Sequence, residues 1–195
     1  HLVADSEWSD TALLAAVARE VVPVLSEAGQ APCFWIIDDT GYRKYGKHSV
    51  GVARQYCGQL GKTDNCQVAV SLSLATAEGS VPLDYRLYLP REWAEDKRRC
   101  KRAGVPKEIG FATKGELAWA QIEAALGALI PRGPVLADAA YGDEAALRDR
   151  LSAHELIYAV GIRPATAVWW DAHQPAPAPV KQDRGRPRTR VPRDK

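Results

Sequence analysis

The chain has 195 residues, 46% of them hydrophobic, and 26 Lys and Arg against 24 Asp and Glu give a formal charge of +2. That is enough for one large domain with a real core, while no apolar run approaches the roughly 18 residues of a membrane span, and His1-Leu2-Val3-Ala4-Asp5 is not the basic-then-apolar start of a secretory signal. The charge is uneven: residues 181–195 hold seven Lys or Arg and two Asp, a +5 tail, which leaves the rest of the chain at −3. The chain starts at His1 and contains no Met, so it reads as a piece of a longer protein.

In chain order, Ser9-Asp10 caps an amphipathic stretch with Leu13, Leu14, Val17, Val21 and Val22, a helix that ends between Pro23 and Gly29. The first strand is Cys33 to Asp39. A polar, glycine-bearing segment, Gly41 to Gly61, follows with Arg43, Lys44, Lys47, His48 and Arg54. Cys66 to Ala75 and Val81 to Leu89 alternate apolar and polar residues around the Glu78-Gly79 turn, a predicted antiparallel hairpin. Glu92 to Ala103 is a short charged helix, broken by Gly104 and Pro106. Thr113 to Ile130 is the strongest helix, with Thr113 and Glu116 spaced as a capping box. A strand ending at Asp138, a helix capped by Asp143 and running to Leu151, and a strand from Leu156 to Ile162 complete the pattern. From Pro164 the composition turns to Pro, Ala and then Arg.

The order βββαβαβ predicts an α/β fold with a ribonuclease-H-like mixed sheet flanked by helices. The expected organisation is a helical lead-in over 1–30, an incomplete core over 31–163, and a disordered basic linker over 164–195 that begins an insertion. In such a core the first strand and the first strand after the helix lie side by side and parallel.

Both of those strands are apolar runs that meet a carboxylate: Phe34-Trp35-Ile36-Ile37-Asp38-Asp39-Thr40-Gly41 and Pro134-Val135-Leu136-Ala137-Asp138-Ala139-Ala140-Tyr141-Gly142. A carboxylate at such a place is costly to bury unless it is paired or holds a metal. Adjacent strands lie ~4.8 Å apart, so Asp39 and Asp138 can share one hard cation, magnesium or manganese. Alternation sends Asp38 and Asp39 to opposite sides, so one of them is the principal ligand. The same residues also suit turns or caps.

The residues carry a resemblance. Asp38-Asp39-Thr40-Gly41, the runs Lys44–Gly58, Asn65–Val70 and Pro82–Pro90, then Glu92-Trp93, Ala103-Gly104-Val105-Pro106 and Val135–Gly142 resemble the transposases of the IS701 insertion-sequence family, near the IS4 group of DDE transposases. The resemblance covers most of residues 3–170. It implies a ribonuclease-H-like core, an Asp-Asp-Glu triad, and magnesium-dependent cleavage and joining of double-stranded DNA at transposon ends and target. The first two members fall on Asp39 and Asp138. The third, a glutamate on a late helix beyond an insertion, has no match, since Glu155 is the last Glu of the chain. The implied setting is the cytoplasm, at the nucleoid, with self-association on paired ends.

Arg43, Lys44, Lys47, His48 and Arg54 are candidate phosphate contacts. Arg184-Gly185-Arg186-Pro187-Arg188 resembles an AT-hook, in which Arg184 and Arg186 would enter a narrow minor groove. Two other readings stand beside the enzyme: a catalytically dead DNA-binding remnant, and a P-loop nucleotide hydrolase. The second rests on Gly41-x-x-x-x-Gly46-Lys47, which has His48 where the motif needs a hydroxyl. Cys33, Cys57, Cys66 and Cys100 form no C-x-x-C pair and are expected as free thiols. Trp35 and Trp119 are expected in the core.

Overall fold

A computed structural model describes residues 9–27 and 33–166. The chain divides into two units, His1–Ile162 and Arg163–Lys195. Of the second, residues 163–166 form a turn in which Thr166 N–H donates to Arg163 O at 2.9 Å. All the elements below belong to the first.

The spine is β1 (Phe34–Arg43). Its antiparallel partner β3 (Lys62–Ala75) lies opposite every residue from Phe34↔Ala75 to Arg43↔Cys66, so the strand does not stop at the aspartates as its sequence implied but runs four residues further. On its other edge β1 pairs in parallel with β5 (Val135–Ala137), and that pairing ends at Ile37↔Ala137. The acidic pair Asp38-Asp39 therefore sits where the parallel neighbour ends and the antiparallel one continues.

Beyond β3 lie β4 (Ser80–Leu87), against its second half, and β2 (Ala53–Cys57), against its first. β6 (Tyr158–Val160) pairs in parallel with β5. The order β2-β3-β1-β5-β6, with β4 also on β3, is that of a ribonuclease-H-like mixed sheet with an added edge strand. β2 was hidden in the polar segment because it is short and Arg54 and Tyr56 are exposed.

The odd-numbered face of β1 holds the core. Trp35 and Ile37 pack with Val70, Leu72 and Leu74 of β3 and with Val135. Over them lie Ala18 and Val22 of α1 (Asp10–Glu27), Trp119 and Ile122 of α4 (Lys114–Gly127), and Leu147 and Leu151 of α6 (Ala145–Ala153). Each fully buried large apolar side chain contributes ~1.5–3 kcal/mol. Both tryptophans expected in this core are there. The N-terminus of α4 carries the expected capping box: Thr113 Oγ1 accepts Glu116 N–H at 3.1 Å, and Glu116 Oε2 accepts Thr113 N–H at 2.7 Å.

Two helices differ from expectation. The charged helix is split into α2 (Arg91–Glu95) and α3 (Lys97–Arg102), because Asp96 leaves helical geometry to accept Arg99 N–H at 2.9 Å. Glu144, not Asp143, occupies the N-cap of α6, since Asp143 already ends the four-residue α5 (Ala139–Gly142). A second, smaller core of Val52, Leu89, Trp93, Ala94 and Cys100 lies under α2 and α3. Among the described residues no helix is long and apolar enough to cross a membrane.

All four cysteines are free, as expected. Burial, with Cys57 beside it, pushes the Cys66 thiol up to about 11. Unfolding at pH 9 would release that proton, so this thiol stabilises the fold below its unfolded pKa near 8.5 and loses that contribution as pH rises. In the native state at pH 8, a thiol reagent is expected to label the half-buried Cys33 first. Prompt labelling of Cys66 would contradict this packing. A Cβ on Gly142 would collide with the carbonyl oxygen of Gly161 beside β6. Gly142→Ala is therefore expected to cost ~1–3 kcal/mol in urea unfolding, and an unchanged midpoint would show that α5 is not docked there.

Candidate active site

The site grows from the end of the β1–β5 pairing. Strand alternation places Asp39 on the face of Trp35 and Ile37, toward α4, and leaves Asp38 exposed on the other. Asp38 Oδ1 accepts the N–H of Asp39 at 2.8 Å. Asp39 is half-buried, and each of its oxygens has a protein donor. Oδ2 is ion-paired with the ammonium of Lys114, the first residue of α4, and Oδ1 accepts the hydroxyl of Tyr141 in α5.

Asp138 follows the last residue of β5 and caps α5. Its Oδ1 accepts Ala140 N–H at 2.8 Å and Tyr141 N–H at 3.4 Å. Tyr141 thus joins the two aspartates, its main chain held by Asp138 and its hydroxyl by Asp39. The residue is 1% exposed. Burial first, then the charge of Asp39 and their hydrogen bond, then Asp138 and Asp38, raise its phenol far above the usual value. It stays a neutral donor throughout the physiological range.

The cap reading of Asp138 is therefore correct, and it does not exclude a ligand role, because the described hydrogen bonds use only Oδ1. Among the described residues no group of three or more His, Cys, Asp or Glu side chains is arranged around one metal position. Two carboxylates with a cation already on one of them still fit a hard divalent ion, which commonly takes one or two protein carboxylates with water and substrate phosphate for the rest.

The basic candidates fall into two groups. Arg43 ends β1, lies 3.6 Å from the Asp64 carboxylate and stacks 4.9 Å over the Tyr45 ring. Lys44 is fixed through its main chain, which accepts from Asn65 Nδ2 at 2.7 Å. Lys47 and His48 are exposed and line one cleft with Arg99 and Arg102, and Arg54 lines the adjoining one. Arg184 and Arg186 lie outside the described residues. The P-loop reading fails on geometry: Gly41 is inside β1 opposite Val68, where a Cβ would meet Cys57 Sγ at 2.8 Å, and the next regular element after Gly46-Lys47 is a strand, not a helix.

Sequence reasoning missed Lys114, Tyr141, Arg99 and Arg102. Tyr141 lay inside a noted motif, and Lys114 followed a noted cap. Neither position discloses a partner 75 or 102 residues away.

With that geometry in place, comparison with known proteins converges on one group. A probable transposase for insertion sequence element IS701 from Microchaete diplosiphon is 38% identical over 103 residues. The match takes in 52% of this chain and 26% of that protein, so it spans about a quarter of the relative's length. A family model described as DDE superfamily endonuclease matches residues 1–195, and the chain belongs to that family.

Proposed function

We propose that this chain carries two of the three carboxylates of a transposase that cuts and joins double-stranded DNA at transposon ends and target sites. The observation that supports it best is Tyr141, whose main-chain N–H donates to Asp138 and whose hydroxyl donates to Asp39, so that one buried residue is bonded to both aspartates. Enzymes of this superfamily generally use divalent metal ions. Asp39 and Asp138 are the residues that would hold magnesium or manganese, which when bound supplies positive charge to the phosphodiester undergoing attack.

The remaining work falls to the chain's own side chains. Lys114 neutralises Asp39, and its ammonium would supply a further positive charge to a phosphate brought to that carboxylate. Tyr141, held neutral, donates a proton to a hydrogen bond without giving it up, and so fixes the Asp39 carboxylate. Arg43, Lys44, Lys47, His48 and Arg54 contribute backbone contacts to DNA, and Arg184 and Arg186 reach a minor groove. The protein works at the nucleoid in the cytoplasm, as a self-associated assembly on paired ends.

Manganese titration of the full chain, followed by electron paramagnetic resonance, tests the cation site. Asp39→Asn and Asp138→Asn are each expected to weaken binding at least tenfold. Wild-type affinity in both would remove the assignment. Lys114→Ala is expected to tighten binding several-fold, because a competing ammonium is gone. Weaker binding in that variant would mean that Lys114 supports the site rather than competing for it.

A second reading has one observation in its favour: among the described residues no three His, Cys, Asp or Glu side chains are arranged around one metal position. In it the chain binds DNA and does not cut. Supercoiled plasmid incubated with the chain and magnesium separates the two: nicking that Asp39→Asn abolishes supports the enzyme, and binding without nicking supports the remnant.

A further inference from the structure

α3 has Lys or Arg at five of its six positions, Lys97, Arg98, Arg99, Lys101 and Arg102, and none of the five is in an ion pair among the described residues. Crowded cations without a carboxylate partner repel one another. Such a cluster is stabilised when an anion of matching extent lies across it. Beside α3 opens a cleft of about 560 Å³ lined by Lys47, His48, Trp93, Arg99, Arg102 and Ala103, with no carboxylate among them. An adjoining cleft of about 230 Å³ shares Lys47 and Arg99 and adds Arg54 and Asn65, with Glu92 as its one acid.

Arg99 is set in advance. Its guanidinium lies 3.6 Å from the centre of the Trp93 ring, and its Nη2 donates to Lys47 O at 2.7 Å. Trp93 is itself locked, 0% exposed, with Nε1 donating to Val52 O at 2.8 Å. A stacked guanidinium with one donor committed keeps its other N–H groups in a fixed fork, the geometry that suits phosphate oxygens.

We propose that these joined clefts seat the sugar–phosphate backbone of DNA, at a place separate from the acidic centre, with Arg99 and Arg102 as its principal contacts. The proposal rests on the reading of this chain as a DNA-acting protein. A mononucleotide site would offer an apolar slot for its base. Here the aromatic residue of the cleft is buried beneath Arg99, and the two linked cavities follow a run of cations instead, which matches a polymer of phosphates. Contacts of this kind position DNA without reading its sequence.

The test is fluorescence anisotropy of the full chain with a labelled duplex of arbitrary sequence, in EDTA, over a series of KCl concentrations. Each neutralised phosphate adds about 0.9 to the slope of log affinity against log salt. Arg99→Ala with Arg102→Ala is expected to lower that slope by about 2 and the low-salt affinity at least tenfold. Arg19→Ala on α1 leaves both unchanged. Should the Arg99 variant unfold, Lys47→Glu with Arg102→Glu, both exposed and outside the Trp93 stack, is expected to give the same loss.

An unchanged slope and affinity in a variant with wild-type circular dichroism overturns the proposal. So does saturable ATP binding that the Arg99 and Arg102 changes abolish while duplex affinity holds, which would make the clefts a nucleotide site. Because the measurement excludes divalent metal, its failure is distinct from failure of the Asp39 and Asp138 assignment, which the manganese titration reads.

Discussion

Three parallel residue pairs, Trp35↔Val135, Ile36↔Leu136 and Ile37↔Ala137, join parts of the chain a hundred residues apart, and the acidic centre exists only where they end. Their register is fixed from several directions. Trp35 donates its main-chain N–H to Pro134 O and its indole N–H to Pro131 O, each at 3.0 Å. Val135 N–H donates to Ile157 O at 2.8 Å, and Gly161 N–H to Ala137 O at 2.9 Å, which clamps β5 from its far edge. A slip of one residue would turn Val135, fully buried now, to the opposite face and bring Leu136 into its place. It would also carry Asp138 away from Asp39. Core packing and site geometry are therefore one constraint, and the hydrophobic pattern of β1 and β5 enforces both.

Electrostatics explains why Lys114 stands where it does. A cation in the first turn of a 14-residue helix opposes the helix dipole, at a cost of about 0.3–1 kcal/mol. Glu116 and the Glu144 carboxylate, which accepts Gly115 N–H at 3.3 Å, are the residues that suit that helix end. Lys114 is unfavourable for α4 and favourable for Asp39. Its position follows from three nearby carboxylates, Asp38, Asp39 and Asp138, all felt by the Tyr141 phenol, which need positive charge among them. An ammonium on a flexible stem gives that charge up more easily than a bidentate guanidinium would.

Periodicity and caps were legible because they are local. The alternation in β3 and β4, the stripe of α4, and the Thr113–Glu116 box depend on residues within a few positions of one another. The aspartates were legible as endings of apolar runs, although β1 itself continues past them, since pairing to β3 is decided by residues 66–75 and not by β1. β2 was illegible for the same reason: Ala53–Cys57 is a strand only because Lys62–Cys66 lies beside it. The split at Asp96 turned on one side chain preferring to cap, and the cap of α6 moved from Asp143 to Glu144 because α5 claimed Asp143 first. What the sequence withheld about the site was partnership at long range, above all Lys114 and Tyr141 on Asp39.

Two of the three clusters in the described core have different duties, the third being the small group of Cys57, Cys66 and Val68. The larger cluster, from Trp35 to Leu151, fixes the acidic centre through β1, β5, α4 and α5. The smaller one, around Trp93, fixes the basic clefts through α2, α3 and the segment after β1. That segment is tied down by side-chain amides: Asn65 donates to Lys44 O and Gly46 O, Gln67 to Val50 O, and Gln55 to Cys66 O. Asn65 and Gln67 belong to β3, the strand that also flanks Asp39. The hydrogen-bonded pair of strands β1 and β3 thus runs from the one cluster toward the other. From Asp39 to Arg43 that pair spans about 13 Å at ~3.3 Å per residue. A rigid ladder of this length between carboxylates and cations holds the two sites at a fixed separation. A loop between them would let that separation vary, and the antiparallel extension of β1 past the aspartates removes that freedom.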